Sequence, residues 1–170
     1  MIFEPIAPQP YGVVLPIVLG YRKIEGENIM ANKRPSRETI HMKTAYLWAA
    51  RSTCKQPNRS IGCVITTEDM KRILAIGYNG PPAAMPNDSC RNISADCGCL
   101  HAEMNAIAAV DSTIPNKIMF VTMEPCEMCA SLISQANIIK VYFCEEYRGE
   151  RGTVRLTQCH IYTEKLHHPV

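Results

Sequence analysis

Two short pieces of the sequence carry residue types that could do hydrolytic chemistry together. One is His101-Ala102-Glu103; the other is Pro125-Cys126 followed, after two residues, by Cys129. A catalytic zinc takes three protein ligands and keeps a fourth position open for water. His101, Cys126 and Cys129 supply three. Cysteines at this spacing in the first turn of a helix point the same way, so one ion can bridge them. The amide N–H groups and dipole of that turn favour thiolates. Pro125 can open the turn because no donor is needed there. Glu103 would project from the same first helical turn as His101, toward the open position. A carboxylate there can take a proton from an activated water and hand it to a ring nitrogen. Each piece alone has an ordinary reading. A Cys-x-x-Cys pair is often a structural half-site or a redox pair, a lone histidine a core residue, a lone glutamate a solvated helix position. The combination, with both pieces opening helices, points to a catalytic metal.

The chain has nine cysteines in 170 residues. An odd number, with pairs at metal-ligand spacing, predicts metal thiolates in a reducing, cytoplasmic setting rather than a disulfide framework. Cys90, Cys97 and Cys99 fall in one loop just before His101, and Cys54 ends the first helical segment. These four would satisfy a closed tetrahedral site, a second and structural Zn2+. The alternative is four scattered buried thiols acting as small hydrophobes, which the surrounding Asp, Asn and Ser residues fit poorly. Cys63, Cys144 and Cys159 lie in or beside apolar strands and are expected in the core.

The elements that must position these groups follow from periodicity and breakers. Residues 1–35 read as an extended or partly ordered N-terminal extension: four prolines precede residue 17, no periodicity holds, and Met30 is a second candidate start. The stretch 11–20 is too short to span a bilayer and Pro16 interrupts it, so no membrane partner is expected. Residues 36–170 read as the catalytic domain. Ser36 is a candidate N-cap for a helix to about residue 52, with Ile40, Leu47 and Trp48 on or near its buried side. Strands are predicted over 62–67 and 73–78, joined as a hairpin through residues 68–71. Asn79-Gly80-Pro81-Pro82 breaks the chain. A polar loop leads to a helix over 101–110, whose small residues Ala102, Ala106 and Ala109 would let it lie close to a sheet. A strand over 117–122, a helix over 126–136, a strand over 139–144, a weaker helix near 153–157 and a short strand near 160–163 follow. This alternation argues a three-layer α/β domain. With 46% hydrophobic and 20% charged residues the composition is that of a globular protein. A net charge of +2 gives no electrostatic case for a nucleic-acid polymer as partner.

The H-x-E and P-C-x-x-C pieces resemble the cytidine and deoxycytidylate deaminase superfamily. Gly77-Tyr78-Asn79-Gly80, the run from His101 to Ile107, Arg51-Ser52-Thr53-Cys54 and Ile61-Gly62 are most similar to its deoxycytidylate (dCMP) branch. The likeness runs from about residue 42 to 163. It implies a cytidine-deaminase-like α/β/α fold with a central five-stranded mixed sheet, and hydrolysis of dCMP to dUMP and ammonia for thymidylate synthesis. By the same likeness Asn79 hydrogen-bonds the substrate sugar, the Ala102 amide binds the base carbonyl and Tyr147 lies at the base pocket. It also implies a homo-oligomer, a hexamer, tuned by dCTP and dTTP with Mg2+, with Gly77, Tyr78 and Gly80 near the effector. Asn79 has an equal reading as a turn residue. Glu124 and Met128 resemble instead the branches acting on tRNA adenosine or guanine. Arg148, Arg151 and Arg155, and Arg59 upstream, could meet a phosphate or form a solvated face. A zinc-stabilised binding module without turnover is the non-enzymatic alternative; it would not require Glu103.

Overall fold

The computed structural model describes residues 34–91, 97–147, 149 and 151–169. The expected extension therefore lies outside the described residues up to position 33, as does Arg148. Helix α1 (Arg37–Ala49) is capped by Ser36, whose Oγ accepts from the Thr39 amide at 3.2 Å, with Glu38 in the first turn. Strands β1 (Gly62–Thr66) and β2 (Ile73–Tyr78) form the expected antiparallel hairpin. Then come α2 (Ala102–Ala109), β3 (Lys117–Met123), α3 (Glu127–Ile133), β4 (Ile138–Glu145), α4 (Arg151–Gln158) and β5 (Tyr162–Lys165). The five strands form one sheet in the order β2-β1-β3-β4-β5. β1 runs antiparallel to both β2 and β3, while β3, β4 and β5 are parallel, so the sheet is mixed.

Alternation along the strands builds two cores. Val64, Phe120 and Tyr142 pack with Met42 and Ala45 of α1 on one face. Cys63, Ile65, Met119 and Val121 pack on the other with Ala106 of α2, Ala130 and Ile133 of α3 and Leu156 of α4. The result is the expected three-layer α/β/α fold.

The buried face of α1 differs from the one predicted. It consists of His41, Met42, Ala45 and Ala49. Ile40 and Leu47 are exposed, at 45% and 74%. The reason is closeness of approach: a Cβ on Gly62 would lie 1.9 Å from the Ala45 carbonyl oxygen, so small residues must face the sheet there. Gly77 plays the same part for α2, where a Cβ would lie 2.1 Å from the Ala102 carbonyl oxygen. Cys63 and Cys144 are buried, but Cys159 is exposed at the end of α4 rather than in the core. His160 there takes φ 59°, a left-handed turn residue that delays β5 to residue 162. Among the described residues, no helix is long and apolar enough to cross a membrane.

Candidate active site

The N-terminal ends of α2 and α3 bring the two chemical pieces together. His101 is the N-cap of α2, yet its side chain caps nothing in that helix. Its Nδ1 instead lies 3.2 Å from Cys129 Sγ and 3.5 Å from Cys126 Sγ. Cys126 is the N-cap of α3, and its sulfur accepts from the Cys129 amide at 3.5 Å. All three donor atoms lie within 4.8 Å of one another. Zinc bonds of about 2.0–2.1 Å to nitrogen and 2.3 Å to sulfur, at tetrahedral angles, put N and S about 3.5 Å apart. The spacing and the N/S donor set both fit a catalytic zinc held by His101, Cys126 and Cys129.

The two thiols, the imidazole and the neighbouring carboxyl shift one another's titration. Hydrogen bonding from the Cys129 thiol, and then from His101, pulls the Cys126 thiol down to about 4. Contact with the resulting Cys126 thiolate, and then burial, push Cys129 far up. Contact with the Cys126 sulfur raises His101. Glu103, in the first turn of α2, is 4% exposed. Burial raises its carboxyl to about 7, against opposing pulls from its own helix amide, His101 and the Cys129 thiol. A carboxyl titrating near neutrality, beside a His/Cys/Cys cluster able to hold a metal ion, is suited to moving protons.

A cavity of about 510 Å³ opens on this cluster, within the range of small-ligand sites. Asn79, Ala102, Glu103 and Tyr147 all line it. Ala102 is the first residue of α2, so its amide has no acceptor within the helix. Asn79 is buried and clamps the chain ahead of β1: its Oδ1 accepts from the Ile61 amide at 2.8 Å and its Nδ2 donates to the Arg59 carbonyl at 2.6 Å. Tyr147 sits under Arg59, whose guanidinium carbon is 5.4 Å from the ring centre. Gly77 and Tyr78 are not among the cavity's lining residues. Tyr78 stacks on Trp48 at 6.3 Å. Gly80 pairs with Leu100 and so fixes the approach to His101. Arg155 is held by Glu127 at 2.7 Å, and Arg151 is exposed.

One residue has a role that sequence reasoning missed. Glu124, only 4% exposed, accepts from the Tyr147 amide at 3.1 Å and from Thr153 Oγ1 at 2.8 Å. It thus ties the Tyr147 segment to the turn that carries Cys126. A charged residue between a buried strand and a Pro-Cys turn was the available signal.

The second cysteine group also assembles. The sulfurs of Cys54, Cys90, Cys97 and Cys99 all lie within 4.8 Å of one another. Cys54 and Cys97 are 3.9 Å apart. Tetrahedral zinc thiolates place sulfurs about 3.8 Å apart. The Lys55 amide donates to Cys90 Sγ at 3.3 Å. Cys54, Cys97 and Cys99 also line the main cavity, so this group forms part of its wall.

Residues 35–145 match the family model of the cytidine and deoxycytidylate deaminase zinc-binding region. The deoxycytidylate deaminase of Saccharomyces cerevisiae is 37% identical over 136 residues, which cover 72% of this chain and 42% of that protein. The human deoxycytidylate deaminase is 36% identical over 116 residues, 62% of each chain. The chain thus spans less than two thirds of the length of either relative. Among solved structures, the dCMP deaminase of cyanophage S-TIM5 in complex with dCMP and dUMP superposes with a TM-score of 0.68. It is 32% identical and covers 78% of this chain and 98% of that one.

Proposed function

We propose, on the premise that this chain belongs to the cytidine and deoxycytidylate deaminase family, that it hydrolyses dCMP to dUMP and ammonia. The observation that carries the reading is a buried carboxylate, Glu103, beside a three-ligand N/S cluster at the wall of a nucleotide-sized cavity. A structural zinc site has no use for such a group.

Zinc bound by His101, Cys126 and Cys129 supplies a Lewis acid that makes water nucleophilic near neutral pH. The remaining work belongs to the chain. The Ala102 amide orients the base through its carbonyl, and Asn79, already clamped in place, offers its remaining hydrogen-bonding capacity to the sugar. Tyr147 closes the base pocket. Glu103 takes a proton from the attacking water and delivers it to N3 as the C–O bond forms at C4. It then carries the remaining proton of the added oxygen to the C4 amino group, which leaves as ammonia as the C4–N bond breaks and the C4 carbonyl forms. Buried groups already fixed by partners perform these transfers with little reorganisation.

The reading extends to a second, structural Zn2+ on Cys54, Cys90, Cys97 and Cys99, supported by the mutual closeness of their sulfurs. Free thiols throughout suit a reducing cytoplasm. Family likeness supports a hexamer responsive to dCTP and dTTP with Mg2+, with Gly77, Tyr78 and Gly80 near the effector. The test is ammonia release from dCMP, CMP, dCTP, deoxycytidine, guanine and a tRNA anticodon stem. The highest kcat/KM should belong to dCMP; a higher value for guanine or the RNA would replace the assignment.

A further inference from the structure

Three of the four sulfurs that converge ahead of α2 share a cavity with Glu103. Cys54, Cys97 and Cys99 line its wall and are half-buried, while Cys90 behind them is 5% exposed. None of the four is in a disulfide. We propose that Cys54 and Cys97 are an oxidative modification site: a peroxide joins them as a disulfide, which distorts the cavity wall and ends metal binding at this cluster. The effect on turnover rests on the deaminase reading above; formation of the disulfide does not.

Geometry selects the pair. The two sulfurs are 3.9 Å apart, and bonded sulfurs lie about 2.05 Å apart. Cys54 follows α1 and Cys97 belongs to the loop before α2, so the bond joins separate segments. Chemistry selects this cluster over the catalytic one. Four thiolates on a zinc dication leave two negative charges, whereas two thiolates and a neutral imidazole leave none. Electron-rich thiolate is what attacks a peroxide. Cys129, moreover, is fully buried. The Arg91 guanidinium carbon lies 3.7 Å from where a Cβ on Gly98 would sit, which puts positive charge beside the Cys97–Cys99 segment. In the reaction one thiolate attacks a peroxide oxygen; the O–O bond breaks, a sulfenic acid forms and hydroxide leaves. The second thiolate attacks that sulfur, the S–S bond forms, the S–O bond breaks and a second hydroxide leaves. Two electrons pass from the sulfurs to hydrogen peroxide, and two protons from solvent complete two waters. The change reaches the catalytic cluster through a short path. Leu100, between Cys99 and His101, bonds Gly80 in both directions at 2.8 and 3.2 Å. A Cβ on Gly80 would lie 2.7 Å from Thr53 Oγ1, so the Cys54 segment packs on the same bridge.

The experiment treats the zinc-loaded full chain with hydrogen peroxide in thiol-free buffer. It reads released zinc with a chromogenic chelator, disulfides by peptide mass mapping, and kcat/KM on dCMP. Zinc should fall from two to one per chain as a Cys54–Cys97 cross-linked peptide appears. Turnover of dCMP should drop roughly 10- to 100-fold, the scale of a misplaced active-site wall. Dithiothreitol with zinc should restore both. Cys159→Ser, which removes the exposed thiol at the end of α4, should respond as wild type does, and Cys97→Ser should form no such cross-link. A map showing Cys126 and Cys129 oxidised while the four thiols stay reduced would overturn the inference. So would a Cys54–Cys97 disulfide with zinc retained, or with kcat/KM unchanged. In those cases turnover of dCMP by the reduced protein leaves the proposed function standing. A reduced, zinc-loaded protein inactive on dCMP removes that function, and the peptide map and zinc count still decide the modification.

Discussion

Glu103 is held between opposing influences. Burial favours its neutral form, and a metal dication beside it would favour the carboxylate. Replacement by glutamine keeps the shape and removes proton transfer. Glu103→Gln should therefore bind zinc as wild type does, by metal analysis, yet lose at least about a hundredfold in kcat for ammonia release. The same group sets a pH dependence in the metal-free protein. Its folded carboxyl titrates at about 7 against an ordinary 4.5. The native state then keeps a proton that the unfolded chain releases. The stability contributed is full below about pH 4.5 and is lost as pH rises through about 7, on the order of 3 kcal/mol. In chelator, urea midpoints should fall between those pH values, and Glu103→Gln should flatten the slope relative to wild type; parallel slopes would contradict the assignment. The closeness of His101, Cys126 and Cys129 was legible in the sequence because each piece is local, its geometry fixed by one helical turn. The clamps made by Asn79 and Glu124 were not legible. Their partners lie 18 to 29 residues away, and only the folded sheet brings them within bonding distance.

Elements meet in this fold wherever a side chain is absent. Gly152, early in α4, is the sharpest case: a Cβ there would lie 1.7 Å from the Pro125 carbonyl oxygen. The atom it would strike is backbone, and the next residue is Cys126, one of the proposed zinc ligands. Gly152→Ala should displace that turn, cost about 1–3 kcal/mol in denaturant unfolding, and weaken zinc retention against a competing chelator. Unchanged retention would show that α4 does not brace the metal turn. The loop before α2 is closed differently, by four thiols converging from two segments. Purified protein should carry close to two zincs per chain, and Cys90→Ala close to one, with a lower thermal midpoint. A wild-type count near one would remove the second site. Helix and strand order was readable from period and breakers. The face of α1 was misjudged because large apolar residues are the usual guide to burial, whereas contact with Gly62 selects Ala45 and Ala49. The late elements shifted for a similar reason. Thr153 serves the Glu124 clamp inside an α4 that starts earlier, and the left-handed turn at His160 moves β5.

At the scale of the whole molecule the deciding quantity is charge. The chain carries +2 overall, and the described wall of the main cavity presents Arg59 as its one lysine or arginine. That arrangement suits a single phosphate. A folded RNA would need many cations along a stripe, because its affinity comes largely from neutralising successive phosphates and releasing their counterions. The two cases separate by salt. A protein making roughly 6–10 phosphate contacts on a duplex loses about 10³- to 10⁵-fold in affinity between roughly 50 and 200 mM salt. A mononucleotide has no condensed counterion sheath, and a single phosphate held in a partly buried cavity is only weakly screened. The kcat/KM for dCMP should therefore fall by less than about fivefold over that range. In a competition at physiological salt, dCMP should outrun a tRNA anticodon stem at equal concentration. Glu124 and Met128, the two residues that resemble the RNA-acting branches, do not alter this expectation. Glu124 is spent on the Tyr147 amide and Thr153, and Met128 is exposed beside the cavity mouth without charge. A steep salt dependence together with faster turnover of the RNA would move the substrate to a polynucleotide. The roles proposed for His101, Glu103, Cys126 and Cys129 would carry over unchanged in that case, since nothing in their geometry depends on what carries the base.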